Sequence, residues 1–423
     1  MKRNTKKMKW WKKLILTVCI VLVAFLAISV GTIIYFTGDS LSGRGMLAMI
    51  GYSGLDLPKG IQKMVLKYDR DYSTLPELLV MEDGTKVTTK AQYEARREEL
   101  LELYETYMIG HPVEGEYSLS YRTLSSEEVF AGKGTRSKIE VTVSTDRGSK
   151  SYEYLLFTPH VSGKFGVFAG LNFAGGDVPD GFPVEELLDR GYGLLTAQYT
   201  DFASDDENFR DGILSLFDTE GKDCTSFIAW TLGLSVGIDY LYEAVPDFDR
   251  DWLISFGHSR LARVSLCTAA LDERITVATQ CCGGGMIRSE VSGRITASDP
   301  SETVWFTAKH TSYENRDNEI PVDTHFLNAL IADRPLYISM GDSDLASDPY
   351  STYDAFRFAG AVWKEIYGIE VLPEMDYFDL EPGKEYFSAG QGLHLHRGAH
   401  SMTWEDDWIH FVNYIEYLKK LNK

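Results

Sequence analysis

The sequence predicts an α/β protein built on a mostly parallel sheet with helices on both faces. Three observations carry this. Runs rich in Val, Ile, Tyr and Phe recur from residue 137 onward. From residue 192 such runs take turns with segments of helical spacing. The 423 residues, 44% hydrophobic and 25% charged, supply one large core or two smaller ones, with no internal repeat or low-complexity tract.

The N-terminus is read apart from that domain. Residues 1–13, "MKRNTKKMKWWKK", carry seven Lys and Arg and no acid; Leu14–Phe36 follow as 23 residues without a charge. A run of that length crosses a hydrocarbon core. The basic flank before it predicts a transmembrane anchor at 14–36, with residues 1–13 cytoplasmic and the remainder outside. A cleaved signal peptide, giving a secreted protein, is the rival reading; its apolar region is usually shorter. Residues 37–90 read as a tether and lead-in, and 91–423 as the folded domain. The net charge is −20, and without the seven basic residues of the flank the remainder lies near −27. That excludes a nucleic-acid or anionic-membrane partner for this part. No obligate protein partner is evident. Five cysteines make no disulfide framework, since Cys19 falls in the apolar run and Cys281 and Cys282 are adjacent. Neither Cys nor His shows zinc-ligand spacing, and no metal or cofactor is implied.

Along the domain, "AQYEARREELLELYETYMIG" (91–110) predicts an amphipathic helix ended by Gly110. "SKIEVTVST", "SYEYLLFTP" and "KFGVFAGLNFAGG" predict strands. "YGLLTAQY" is followed by the helix "TSFIAWTLGLSVGIDYLYEA", and "WLISFG" by the helix "RLARVSLCTAALD". "ITVATQCC", "PLYISMG" and "GLHLHRG" are further strand candidates, and "WEDDWIHFVNYIEYLKKL" closes the chain as a helix.

The stretch "WLISFGHSRLARVSL" (252–266) places Ser259 where a buried strand meets a helix. Such a turn lifts a nucleophilic serine clear of the sheet and aims helix N–H groups at a developing oxyanion. The usual G-x-S-x-G lacks its last Gly here, and an ordinary helix N-cap is the alternative for Ser259. A base and an orienting acid are expected in the order Ser, acid, His. His400, in the loop after "GLHLHRG", fits the base. His258 lies in the elbow, His310 and His325 come too early, His394 and His396 sit on the strand, and His410 on the last helix; all six read as structural. The acid is sought after "PLYISMG", where "GDSDLASDP" offers Asp342, Asp344 and Asp348. Asp344, three residues past Gly341, has the spacing of such a loop and Asp342 stays open as the acid; turn and capping chemistry is expected for at least two of the three.

These segments, with "RREELLELYETYMIG", "GLNFAGG", "GHSRLAR", "ETVWF", "IPVDTHFLNALIADRPLYIS", "DSDLASDP" and "HRGAH", resemble the glucuronoyl esterases, above all bacterial ones, over roughly 95–420. The resemblance implies an α/β-hydrolase fold, a three-layer sandwich, and hydrolysis of esters of 4-O-methyl-glucuronic acid such as those joining glucuronoxylan to lignin alcohols. It matches Ser259 to the nucleophile, Arg260 to its oxyanion helper, His400 to the base and Trp305 to a sugar-contacting tryptophan. Arg263 stands where the family has a lysine that meets sugar hydroxyls, and Ala174 and Gly175 fall in the oxyanion loop. Many members take their acid from a Glu whose place is Cys282 here, which leaves the role to Asp344. Two other readings share these residues: an acetyl or feruloyl carbohydrate esterase with the same triad, and a non-catalytic surface protein binding acidic polysaccharide.

Overall fold

The computed structural model describes residues 58–65, 72–174, 178, 182–284, 286–289, 304–313, 316–345 and 347–421. The expected cytoplasmic segment and anchor lie outside the described residues. Among the described residues, no helix is long and apolar enough to cross a membrane.

Ten strands form one sheet: β1 Ser118–Val129, β2 Gly134–Thr145, β3 Gly148–Pro159, β4 Phe165–Asn172, β5 Tyr192–Gln198, β6 Phe248–Ser255, β7 Val277–Cys281, β8 Leu336–Gly341, β9 Tyr386–Phe387 and β10 Gln391–His396. Their order is β1-β2-β3-β5-β4-β6-β7-β8-β10-β9. From β5 to β10 every neighbouring pair is parallel, while β1, β2 and β3 form an antiparallel extension and β9 an antiparallel edge. The sheet is therefore mixed, with its parallel half where the sequence alternates strand and helix.

Side-chain alternation divides each central strand between two cores. In β4, Val167, Ala169 and Leu171 face one core and Phe168 the other. The first core is covered by α1 (Lys90–Tyr104), α2 (Ser226–Ala244), α3 (Arg260–Leu271) and α4 (Pro349–Ala361). The second is covered by the short helix Val184–Asp189 and by α5 (Ile409–Leu421). α1 starts where Thr89 accepts the Gln92 N–H and passes through a wider turn, Glu105–Ile109, to Gly110 at φ 81°.

The lead-in is partly domain. Leu78 and Val87 are buried in the first core, Arg96 donates to the carbonyls of Glu77 and Leu78, and the Tyr72 hydroxyl reaches Asp354 at 2.6 Å. The expected tether is thus shorter than 37–90, because residues 72–90 bury apolar side chains that a tether would leave in water. β1, which the sequence pattern does not mark, is a polar and largely exposed edge strand.

Candidate active site

The parallel strands end on one side, and the chemically distinctive residues gather there. After β6, Gly257 packs so tightly that a Cβ would lie 2.0 Å from the Leu261 carbonyl oxygen. His258 bridges to Cys281 at the end of β7, the Ser259 N–H donating to the Cys281 carbonyl at 3.0 Å. Ser259 itself has φ 58° and ψ −133°. That region is sparsely allowed for a residue with a Cβ and costs about 1–3 kcal/mol. The pairing with β7 holds it there. Ser259 stands at the N-cap position of α3, but its hydroxyl makes no capping hydrogen bond there. Leu261, where the usual motif has glycine, is 1% exposed and accommodated.

His400 follows β10. Its Nδ1 lies 2.8 Å from Asp344 Oδ2, in the loop after β8, and 3.0 Å from the Ser347 hydroxyl. The His400 and His258 rings stand 4.7 Å apart, which brings His400 beside the elbow. Among the described residues no hydrogen bond joins Ser259 to His400; such bonds are often loose before substrate arrives. His258 is half-buried and its Nε2 has no partner among the described residues.

The two candidate acids part company. Asp344 is 1% exposed and bonds His400 directly. Asp342 instead accepts the Gly398 N–H at 2.9 Å and stays on the backbone of the loop. Asp348 caps α4 through the Ser351 N–H. Burial raises Asp344 above the usual carboxylate range, with the His400 contact working against it. For His400, burial favours the neutral ring, but the contacts with Asp344 and Cys282 together outweigh it and lift the imidazole above its ordinary value. Cys282 is buried with φ 53°, and its Sγ lies within 4.8 Å of donor atoms of Asp344 and His400. A thiol thus fills the place beside the imidazole, and the carboxylate comes from the next strand.

Arg260 pairs through Nη1 with Asp205, its guanidinium lying 4.4 Å from the Trp305 ring centre. Trp305 Nε1 donates to the same carboxylate at 2.6 Å, and the Tyr199 hydroxyl lies 3.0 Å from it. Arg260 Nε has no partner among the described residues. Arg263 is turned into the core, with Nη1 on the Tyr104 hydroxyl at 2.9 Å and the guanidinium 5.3 Å from the Phe306 ring centre. It is largely buried and lines a small cavity with Gln280, Gly283 and Asn328. The Ala174 N–H is taken by Asn172 Oδ1 at 2.8 Å, and Gly175 lies outside the described residues. Sequence reasoning missed Asp205, although it follows β5 on the strand-end side, because Asp201, Asp206 and Glu207 surround it. Ser347 gave no signal at all.

A family profile described as glucuronyl esterase, fungi, matches residues 141–367, more than half of the chain. The chain belongs to the glucuronoyl esterase family. It is a carboxylic ester hydrolase. The esterase is 28% identical to a carbohydrate esterase of an unknown prokaryotic organism, across 81% of this chain and 89% of that one. It is 26% identical to 4-O-methyl-glucuronoyl methylesterase 1 of Phanerochaete chrysosporium, across 70% of this chain and 62% of that one. Its fold superposes on a promiscuous CE15 esterase from the marine bacterial metagenome with a TM-score of 0.73, at 27% identity over 83% of this chain and 98% of that one. A glucuronoyl esterase from Solibacter usitatus gives a TM-score of 0.74 at 25% identity, over 83% and 99%.

Proposed function

We propose that the protein is a membrane-tethered serine esterase that cleaves esters of (4-O-methyl-)glucuronic acid in plant cell-wall glucuronoxylan or a related polysaccharide. Ser259 attacks the ester carbonyl, and His400 takes its proton and returns it to the leaving alcohol. Asp344 keeps the His400 proton on Nδ1, so that Nε2 faces the serine. The Arg260 guanidinium and its backbone N–H, first in α3, meet the tetrahedral oxyanion, and water then frees the uronic acid from Ser259. Trp305 offers its ring to the sugar, and Arg263 supports that wall from beneath through Phe306. The observation that carries this reading is the His400–Asp344 contact at 2.8 Å, set beside an uncapped serine held at φ 58°. It also disfavours the non-catalytic alternative, since a decayed site has no cause to retain a strained elbow.

The substrate and the tether are tested together. Cells expressing the full chain should hydrolyse added benzyl glucuronate, with the activity in the membrane fraction and little release of acetate from acetylated xylan. Preference for the acetyl substrate would favour the acetyl esterase alternative; activity in the medium would favour a cleaved leader.

Arg260 has two candidate roles, and its pairing with Asp205 sharpens the choice. A uronate ester carries no anion on its carboxyl group, so charge appears there only in the tetrahedral state. Arg260→Ala should lower kcat by about 10²–10³, with little change in KM. A partly exposed ion pair contributes only about 0–1 kcal/mol, so Tm should move little. A large fall in Tm at preserved kcat would make Arg260 a brace for Asp205 instead.

A further inference from the structure

On the α5 side of the sheet, β8 and β10 run parallel in a register that sets His394 beside Ser339 and His396 beside Gly341. A fully buried carboxylate, Asp407, enters this layer from the turn Trp404–Trp408 just before α5. It accepts the Ser339 hydroxyl, the Thr403 N–H at 3.1 Å and His396 Nδ1 at 2.9 Å. Burial alone would push its carboxyl up, but the His394 ring, 3.5 Å away, and the His396 ring hold it well below the usual range, and this set of donors favours the ionised form.

His396 Nε2 lies 2.9 Å from the carbonyl of Ala399, the residue before His400. A carbonyl only accepts, so Nε2 carries a proton; an ionised carboxylate only accepts, so Nδ1 carries one too. His394 differs: Nε2 meets the Asp406 carbonyl and Nδ1 the Tyr337 hydroxyl, which can itself donate. Burial keeps that ring neutral. We propose that His396 is a permanent imidazolium, charged by Asp407, whose Nε2–H holds the Ala399 carbonyl and so positions His400 over Ser259. His396 and Asp407 are positioning residues, and the inference rests on His400 being the base.

The surroundings fit a fixed clamp. A Cβ on Gly341 would sit 2.5 Å from the Ala399 oxygen and 2.8 Å from His396 Nε2, so the ring and carbonyl close directly onto bare backbone. The other side of the loop is held by backbone bonds and by Asp342 on the Gly398 N–H. The titratable groups facing His396 are Asp407, His394 beside it on β10, and Cys281 and Cys282 at the end of β7. Burial opposes a charge on the ring, but the Asp407 contact, with Cys282 adding to it, raises its pKa to about 11.

Histidine-labelled NMR on the full domain, with the signal assigned by its loss in His396→Gln, should find both His396 ring nitrogens protonated from pH 6 to pH 9. Asp407→Asn should leave that ring no longer doubly protonated across this window, since burial lowers its titration once the carboxylate is gone. It should also lower kcat by about 10- to 100-fold at unchanged KM, the scale of a misplaced catalytic group. A neutral His396 in the wild-type protein would overturn the proposal, even if the variants fail to fold. So would a folded Asp407→Asn variant with wild-type kcat across the pH range. If His400→Ala stayed active while His396 remained doubly protonated, the assignment of the base would fall and the charged pair would stand.

Discussion

Ser259→Ala will abolish ester hydrolysis and leave the fold in place. Triad members act as a unit, and removing the nucleophile alone costs on the order of 10⁶ in kcat in the best-measured serine hydrolase. The fold survives because the hydroxyl makes no capping bond whose loss would be felt. Alanine keeps the Cβ, so the strain at φ 58° is unchanged rather than relieved. Thermal melting should therefore be nearly wild-type, and benzyl glucuronate turnover should fall to background. More than a few per cent of wild-type activity would show that another group attacks the ester.

Asp344→Asn follows in size, at roughly 10⁴ in kcat, since an amide no longer fixes the proton on the correct imidazole nitrogen. Asp342→Asn should cost far less, because Asp342 accepts from the Gly398 N–H and the amide oxygen can still do so. Cys282→Ala should likewise be mild, the thiol being a neighbour of the pair and not its carboxylate. The pH profile supplies a second reading. As the proposed base, His400 would act only when neutral, and the contacts with Asp344 and Cys282 raise its pKa despite burial. In the wild type, kcat/KM should therefore fall with decreasing pH, with an inflection above the ordinary imidazole value of about 6.5. In Asp344→Asn that inflection should move to lower pH, since the charge that held the proton is gone. Equal losses at Asp342 and Asp344, or an inflection that does not move, would place the orienting acid elsewhere.

The central strands were legible because each is short, apolar and followed by a helix, as in "WLISFG" before "RLARVSLCTAALD". β1 was not, because an edge strand with one wet face after another carries no apolar alternation to read. Helix Thr324–Ala329 lies in "IPVDTHFLNALIADRP", where six helical residues are too few to show a period. At the candidate site, Ser259, Asp344 and His400 could be named from strand order and loop position alone, with no knowledge of side-chain contacts, and the structure brings Asp344 and His400 together. Asp205 and Asp407 needed those contacts. Each is one acid among several neighbours, distinguished only by meeting Arg260 and Trp305, or His396 and Ser339, from distant parts of the chain. The Asn172 side chain folding back two residues to accept the Ala174 N–H was likewise hidden in the sequence.

The left-handed backbone at Ser259 also limits which substitutions evolution can sample there. A β-branched side chain is a steric outlier at positive φ, so threonine would add its methyl group to a strain already near the tolerable limit. Cysteine, unbranched and of similar size, meets no such barrier. The backbone of this elbow thus admits sulfur in place of the Ser259 oxygen. The exchange from serine to threonine, chemically the smaller change, would first require the elbow to be rebuilt.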